Sequence, residues 1–122
     1  MRPFELTIED YPPLDPKQWY LVGVRNISRA TGKAPVIQVE LVHLDSEQAG
    51  RVHDIRLALP LRPGNLAAEM FRCLGFATDV NQIIRPREAI NRRVLARFAP
   101  NPTTNSFQVV EFKPISEDRH DP

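Results

Sequence analysis

The chain has 122 residues, 42% of them apolar and 25% charged, with a formal net charge of +1. That length holds one hydrophobic core and not two, and the composition is that of a folded domain rather than a disordered or fibrous one. No apolar run approaches the roughly 18 residues of a membrane-crossing helix, Met1-Arg2-Pro3-Phe4-Glu5 carries no apolar leader core, and Cys73 is alone, which together predict a cytoplasmic protein.

Residues 1–18 are a proline-rich extension with Pro3, Pro12, Pro13 and Pro16. They are expected to run extended, ordered through docking of Phe4, Leu6, Ile8 and Tyr11. A first strand follows over Trp19–Ile27, with Tyr20, Val22 and Val24 on one face and Gly23 marking a bend. The loop Ser28-Arg29-Ala30-Thr31-Gly32-Lys33 leads to a second strand, Val36–Leu44, with Ile37, Val39 and Leu41 alternating with Gln38 and Glu40. After a turn over residues 45–50, a third strand, Val52–Leu59, sets His53, Ile55, Leu57 and Leu59 against Asp54, Arg56 and Ala58. Pro60 and Pro63 stop it. Asn65 is placed to cap a helix over Leu66–Leu74, whose Leu66, Met70, Cys73 and Leu74 form one apolar stripe. Gly75 ends it, with Phe76 turned back on Phe71.

Asp79 and Gln82 predict one further turn, and Pro86–Ile90 another. Asn91 is the residue suited to reverse the chain at positive φ. A fourth strand, Arg93–Ala99, and a fifth, Phe107–Ile115, complete the domain. In the fifth, Val110 and Phe112 fit one face and Phe107 and Val109 the other, a phase conflict that predicts a β-bulge. The tail 116–122 has no apolar anchor and is expected to fray. Three strands, one helix and two strands are the plan of a five-stranded OB barrel over residues 19–115, an all-β fold stoppered by the helix between strands 3 and 4.

Enzyme signatures are missing. The five glycines form neither a dinucleotide fingerprint nor a phosphate loop, and the serines at 28, 46, 106 and 116 have no nucleophile-elbow context. His43, His53 and His120 lack metal-ligand spacing among themselves or with Cys73, and the acid pairs Glu9-Asp10 and Glu117-Asp118 lie in the ends of the chain. His43 and His53 share the core phase of their strands and read as hydrogen-bonded strand-end histidines. No catalytic residue, cofactor or metal is expected.

Charge is uneven along the chain. Residues 85–97 hold Arg85, Arg87, Arg92, Arg93 and Arg97 against Glu88 alone, a local +4, whereas residues 1–18 sum to −2. Single-strand binding needs cations for phosphates and aromatic faces for bases. The residues offered are Arg25, Arg29, Lys33, Arg51, Arg56, Arg93 and Arg97, with Trp19 and Phe107 for stacking. Gln38 and Glu40, the outward residues of strand 2, supply no aromatic and one acid, which is poor for that task.

Thr31-Gly32-Lys33 before strand 2, Gly50-Arg51-Val52-His53-Asp54 opening strand 3, Leu74-Gly75 closing the helix and Glu88-Ala89-Ile90-Asn91-Arg92-Arg93-Val94 entering strand 4 form a pattern. Over residues 19–115 it resembles the phage and prophage OB proteins of the single-stranded-DNA-binding-like type, a domain of unknown function. Asn91 stands where those proteins usually place glycine, and the proline-rich extension is additional. The resemblance implies an OB fold and strand binding. The expected function is therefore a non-enzymatic OB protein that binds single-stranded DNA through arginines and a few aromatics. The alternative is a protein-interaction or self-association module using a barrel edge, beside Trp19 and Leu21, and the N-terminal segment.

Overall fold

The computed structural model describes residues 3–30, 32–104 and 106–115. Thr31, Asn105, His120, the acid pair Glu117-Asp118 and the rest of the tail 116–122 lie outside them. Among the described residues the protein is all-β apart from one α-helix and short 3-10 turns: β1 (Tyr20–Ala30), β2 (Val36–His43), β3 (Val52–Ala58), α1 (Leu66–Cys73), β4 (Arg93–Asn101) and β5 (Ser106–Lys113). The strands form one antiparallel sheet in the order β3-β2-β1-β4-β5, which is open, with β3 and β5 at its edges.

Two bulges set the sheet's phase. Val24 pairs with Leu41 and Asn26 with Glu40, so Arg25 is an extra residue in β1. The bulge returns Ile27 to the inner face that Val22 and Val24 share, and it lets β1 continue to Ala30, past the expected end at Ile27. On β5, Glu111 pairs with Arg97 and Val109 with Phe98, leaving Val110 unmatched. This is the bulge that the phase conflict predicts; Val109 and Phe112, three apart, are both buried. At Gly23 a Cβ would come within 3.3 Å of Leu44 Cδ1, so the glycine admits the Leu44 side chain against the strand.

The sheet is tightly coiled. Three strand spacings in a flat sheet would separate β3 from β4 by about 14 Å, yet the rings of His53 on β3 and Phe98 on β4 are 4.7 Å apart. Val22, Val24, Val39, Leu41, Val94, Ala96 and Phe98 fill the interior and are essentially inaccessible. The α1 helix touches both β5 and β3, and its Met70, Phe71 and Cys73 join the same core as the strands. Asn65 caps it by accepting the Ala68 N–H at 2.9 Å. Gly75 at φ +102° ends it, the Phe76 N–H bonds to Phe71 O, and the two rings meet edge to face at 5.5 Å. The buried stripe is wider than the spacing suggests, taking in Ala67, Ala68 and Phe71 while Leu66 is only partly covered.

After the helix, a hydrogen-bonded turn over Asp79–Gln82 and a single 3-10 turn at Pro86–Ala89 bring the chain to Asn91, at φ +72°. The Asn91 N–H bonds to Val24 O at 2.7 Å, and the Val24 N–H to Arg92 O at 2.9 Å. These bonds fasten the start of β4 to the middle of β1. Consequently β4 pairs with Tyr20–Gly23 only. Beyond Val24, β1 is bonded to β2 alone, and on its other side Asn26–Ala30 meet no backbone partner among the described residues.

The extension docks differently from expectation. Phe4, Leu6 and Ile8 are 90%, 84% and 101% exposed. Leu14 is the residue that enters the core, and the Asp15 N–H donates to Tyr20 Oη at 2.8 Å. Pro12 O accepts from Gln48 Nε2 at 2.6 Å and from Arg51 Nη1 at 3.2 Å. Residues 12–18 thus close the His43 end of the sheet, and residues 3–10 stand clear of it.

Candidate nucleic-acid interface

The outward face of β2 and β3, where an OB barrel often lays a strand, is electrically balanced. Glu40 and Asp54 are direct cross-strand partners, and Arg56 sits opposite Gln38. Arg25, lifted outward by the bulge, pairs with Glu40 at 3.0 Å. Two arginines and two carboxylates cancel, so a phosphate chain gains nothing from the field of this face.

Other expected contact residues are also engaged. Arg97 binds Glu111 at 2.8 Å and donates to Pro16 O at 3.1 Å. Arg51 is held by Pro12 O and by Gln48 Oε1 at 3.0 Å, with Tyr11 5.8 Å away. The Trp19 ring is half-buried, and the Lys113 ammonium lies over it at 4.6 Å, where a base would have stacked. Phe107 is half-buried against the core. Arg93 is exposed and pairs with Gly23 at the start of β4. The edge proposed beside Trp19 and Leu21 is not one: β1 is the central strand, and Leu21 pairs with Leu95. The open stretch of β1 is Asn26–Ala30.

Arg29 and Lys33 occupy the opposite end, at the β1–β2 hairpin. Arg29 shares the inner face of Ile27 but lies past the end of the core, so its side chain is exposed. Ile27, Ile37, Leu59, Leu61, Phe71 and Ile84 line an apolar groove of about 400 Å³ there, and Arg29 and Arg87 stand at its rim. None of Arg29, Lys33 and Arg87 has an ion pair among the described residues. Leu59 was legible as an inward residue of strand 3. Arg87 belongs to the arginine-rich stretch 85–97 but not to the expected contact residues, and Ile84 to neither, because only the fold brings the segment before β4 alongside β1. A cavity of this size is at the small end of ligand pockets, with room for one planar base or one or two side chains. Arginine forks at such a rim suit phosphate or carboxylate.

The histidines form a separate feature at the closed end. His43 Nε2 and His53 Nε2 are 3.0 Å apart, His43 is 1% exposed, and Tyr20 and Phe98 pack on its ring. Burial foremost, then the charges of His53 and Arg51, lowers His43 from 6.5 to about 4. Burial and then Arg51 lower His53 to about 4 as well. Both rings are therefore neutral near pH 7, and one donates to the other. His43 Nδ1 is buried without a partner. A bare lone pair there costs less than a stranded N–H, so His43 carries its proton on Nε2 and donates, and His53 accepts. Among the described residues no three His, Cys, Asp or Glu side chains converge as a metal site, and no helix is long and apolar enough to cross a membrane. No protein-family model matches this chain, and no curated protein matches it either.

Proposed function

We propose that this chain is a non-enzymatic OB-type protein that binds single-stranded DNA, with the strand crossing the hairpin end rather than the β2–β3 face. The barrel reading is supported by strand adjacency: β1 lies between β2 and β4, and α1 spans the gap between the edges β3 and β5. The resemblance to the phage-type single-stranded-DNA-binding-like proteins points the same way. The observation that carries the binding reading is the set of unpaired cations, Arg29, Lys33 and Arg87, around an apolar groove. Phosphates neutralise against the rim while one base leaves water for the groove floor. This differs from stacking on exposed aromatics and involves one nucleotide closely and its neighbours through charge.

Fluorescence anisotropy with a labelled oligothymidine at several salt concentrations tests it. Three phosphate contacts on a single strand predict a log K against log salt slope of about −2. Arg29→Ala with Arg87→Ala weakens binding by roughly tenfold or more and flattens the slope, whereas Arg25→Ala, on the balanced face, leaves both unchanged. Absence of binding at low salt, or equal loss from Arg25→Ala, would overturn the reading.

A further inference from the structure

Beside the apolar groove lies a second depression of about 270 Å³, and the two share Leu61 and Ile84 as a common wall. Its chemistry is different. Arg62, from the segment between β3 and α1, lines it together with Thr78, Asp79, Asn81 and Gln82, from the segment that follows α1. A turn closed by the Gln82 N–H on Asp79 O at 3.0 Å, with Asn81 at φ +73°, fixes the shape of that second segment. Arg62 and Asp79 carry opposite charges and border one space, yet neither has an ion pair among the described residues. The side-chain amides of Asn81 and Gln82 likewise have no hydrogen-bond partner among those residues. The phosphate and base contacts proposed above use none of these groups.

We infer that this cleft is a second nucleotide subsite, which takes the base next to the one in the apolar groove and selects guanine. The inference rests on the strand-binding reading and adds base selectivity to it. Adjacency is the first support, because the shared wall lets consecutive bases of one strand enter the two depressions. Asp79 is the second. A carboxylate repels phosphate, so this cleft is not a seat for the backbone, and as an acceptor only it needs N–H donors from its ligand. Single-stranded bases leave their Watson–Crick edges free for such contacts. Guanine presents N1–H and an N2 amino group side by side there, two parallel donors for the two carboxylate oxygens. Adenine and cytosine offer one amino group beside a bare ring nitrogen, and thymine offers one N–H between two carbonyls that a carboxylate repels. Arg62 is the third support, since the remaining guanine acceptors, O6 and N7, are the groups that arginine favours. Held apart, the two charges match a base that carries donors and acceptors on one molecule. Val80, 73% exposed where it borders the cleft, supplies an aliphatic surface for the face of the base.

Fluorescence anisotropy on the full chain tests it, comparing a labelled oligothymidine with oligothymidines of the same length that carry one central guanine, adenine or cytosine. The guanine-containing strand is expected to bind about fivefold tighter than oligothymidine, the low end of what one bidentate base contact supplies, with adenine and cytosine between. Asp79→Asn, at an exposed turn position, removes most of that gain. Asp79→Ala abolishes it and tightens oligothymidine slightly, because a repulsive charge beside the phosphates is gone; this residual binding also shows that the variant is folded. A wild type that does not prefer guanine over the other three, or a preference that survives Asp79→Ala, would overturn the subsite and leave strand binding standing. Absence of binding by all four strands would remove both.

Discussion

The His43–His53 pair makes the stability of this protein steeply pH-dependent on the acid side of neutrality. Both rings titrate near 4 in the folded state against 6.5 ordinarily. Between those values the unfolded chain binds protons that the folded chain refuses, so stability falls as pH drops from about 6.5 to about 4 and levels off outside that window. The shift of His43 corresponds to about 3 kcal/mol at 1.36 kcal/mol per pH unit. His53, partly open to solvent, contributes less because water screens its charge. The loss is a large share of the 5–15 kcal/mol that holds a typical domain together. Urea unfolding followed through Trp19, the sole tryptophan, measures it at intervals from about pH 7 to about pH 4.5. The decisive control is His43→Leu with His53→Leu, which removes both partners and strands neither. Its stability is expected to stay nearly level across that interval, while the single variant His53→Leu loses about 1–3 kcal/mol already at neutral pH from the orphaned His43 N–H. A wild type with no slope between about pH 6.5 and pH 4.5, or a double variant with the wild-type slope, would refute the reasoning.

Two further expectations concern the elements that shape the ends of the sheet. Leu14→Ala empties a buried position 3% exposed and is expected to cost about 2–4 kcal/mol in chemical denaturation; hydrogen exchange should then show residues 12–18 and Gln48–Arg51 loosening together. Asn91 sits at φ +72°, where a branched or plain Cβ is strained, so Asn91→Ala should destabilise by about 1 kcal/mol and Asn91→Gly should be neutral or mildly stabilising in the same assay.

Local rules were legible where the chain obeys them locally. The five strands follow from alternation, α1 from its Asn65 cap and Gly75 stop, and the β5 bulge from a spacing of three between Val109 and Phe112. The β1 bulge had the same signature, Val24 to Ile27, but Arg25 between them reads as an ordinary outward residue until Glu40 is seen beside it. Partnership across strands was the illegible part. Arg25, Arg51 and Arg97 look like available cations in the sequence, and each is occupied by a group 14 to 81 residues away or by a backbone carbonyl. Lys113 over Trp19 is equally remote in sequence. Conversely, Arg29 and Arg87 become neighbours of one groove only because Asn91 ties the segment before β4 to Val24. Leu14, which enters the core, stands among prolines with no periodic neighbours, whereas Phe4, Leu6 and Ile8 alternate cleanly and are exposed; periodicity marks a strand's pattern but not whether it joins a sheet.

The most direct test of the account is to map an oligothymidine onto the protein by backbone amide chemical shifts during titration at low salt. Shifts concentrated at Ile27–Arg29, Lys33 and Ile84–Glu88, with Gln38–Glu40 and Asp54–Arg56 silent, are predicted. Shifts centred on the β2–β3 face, or none anywhere, would contradict a strand-binding groove at the hairpin end.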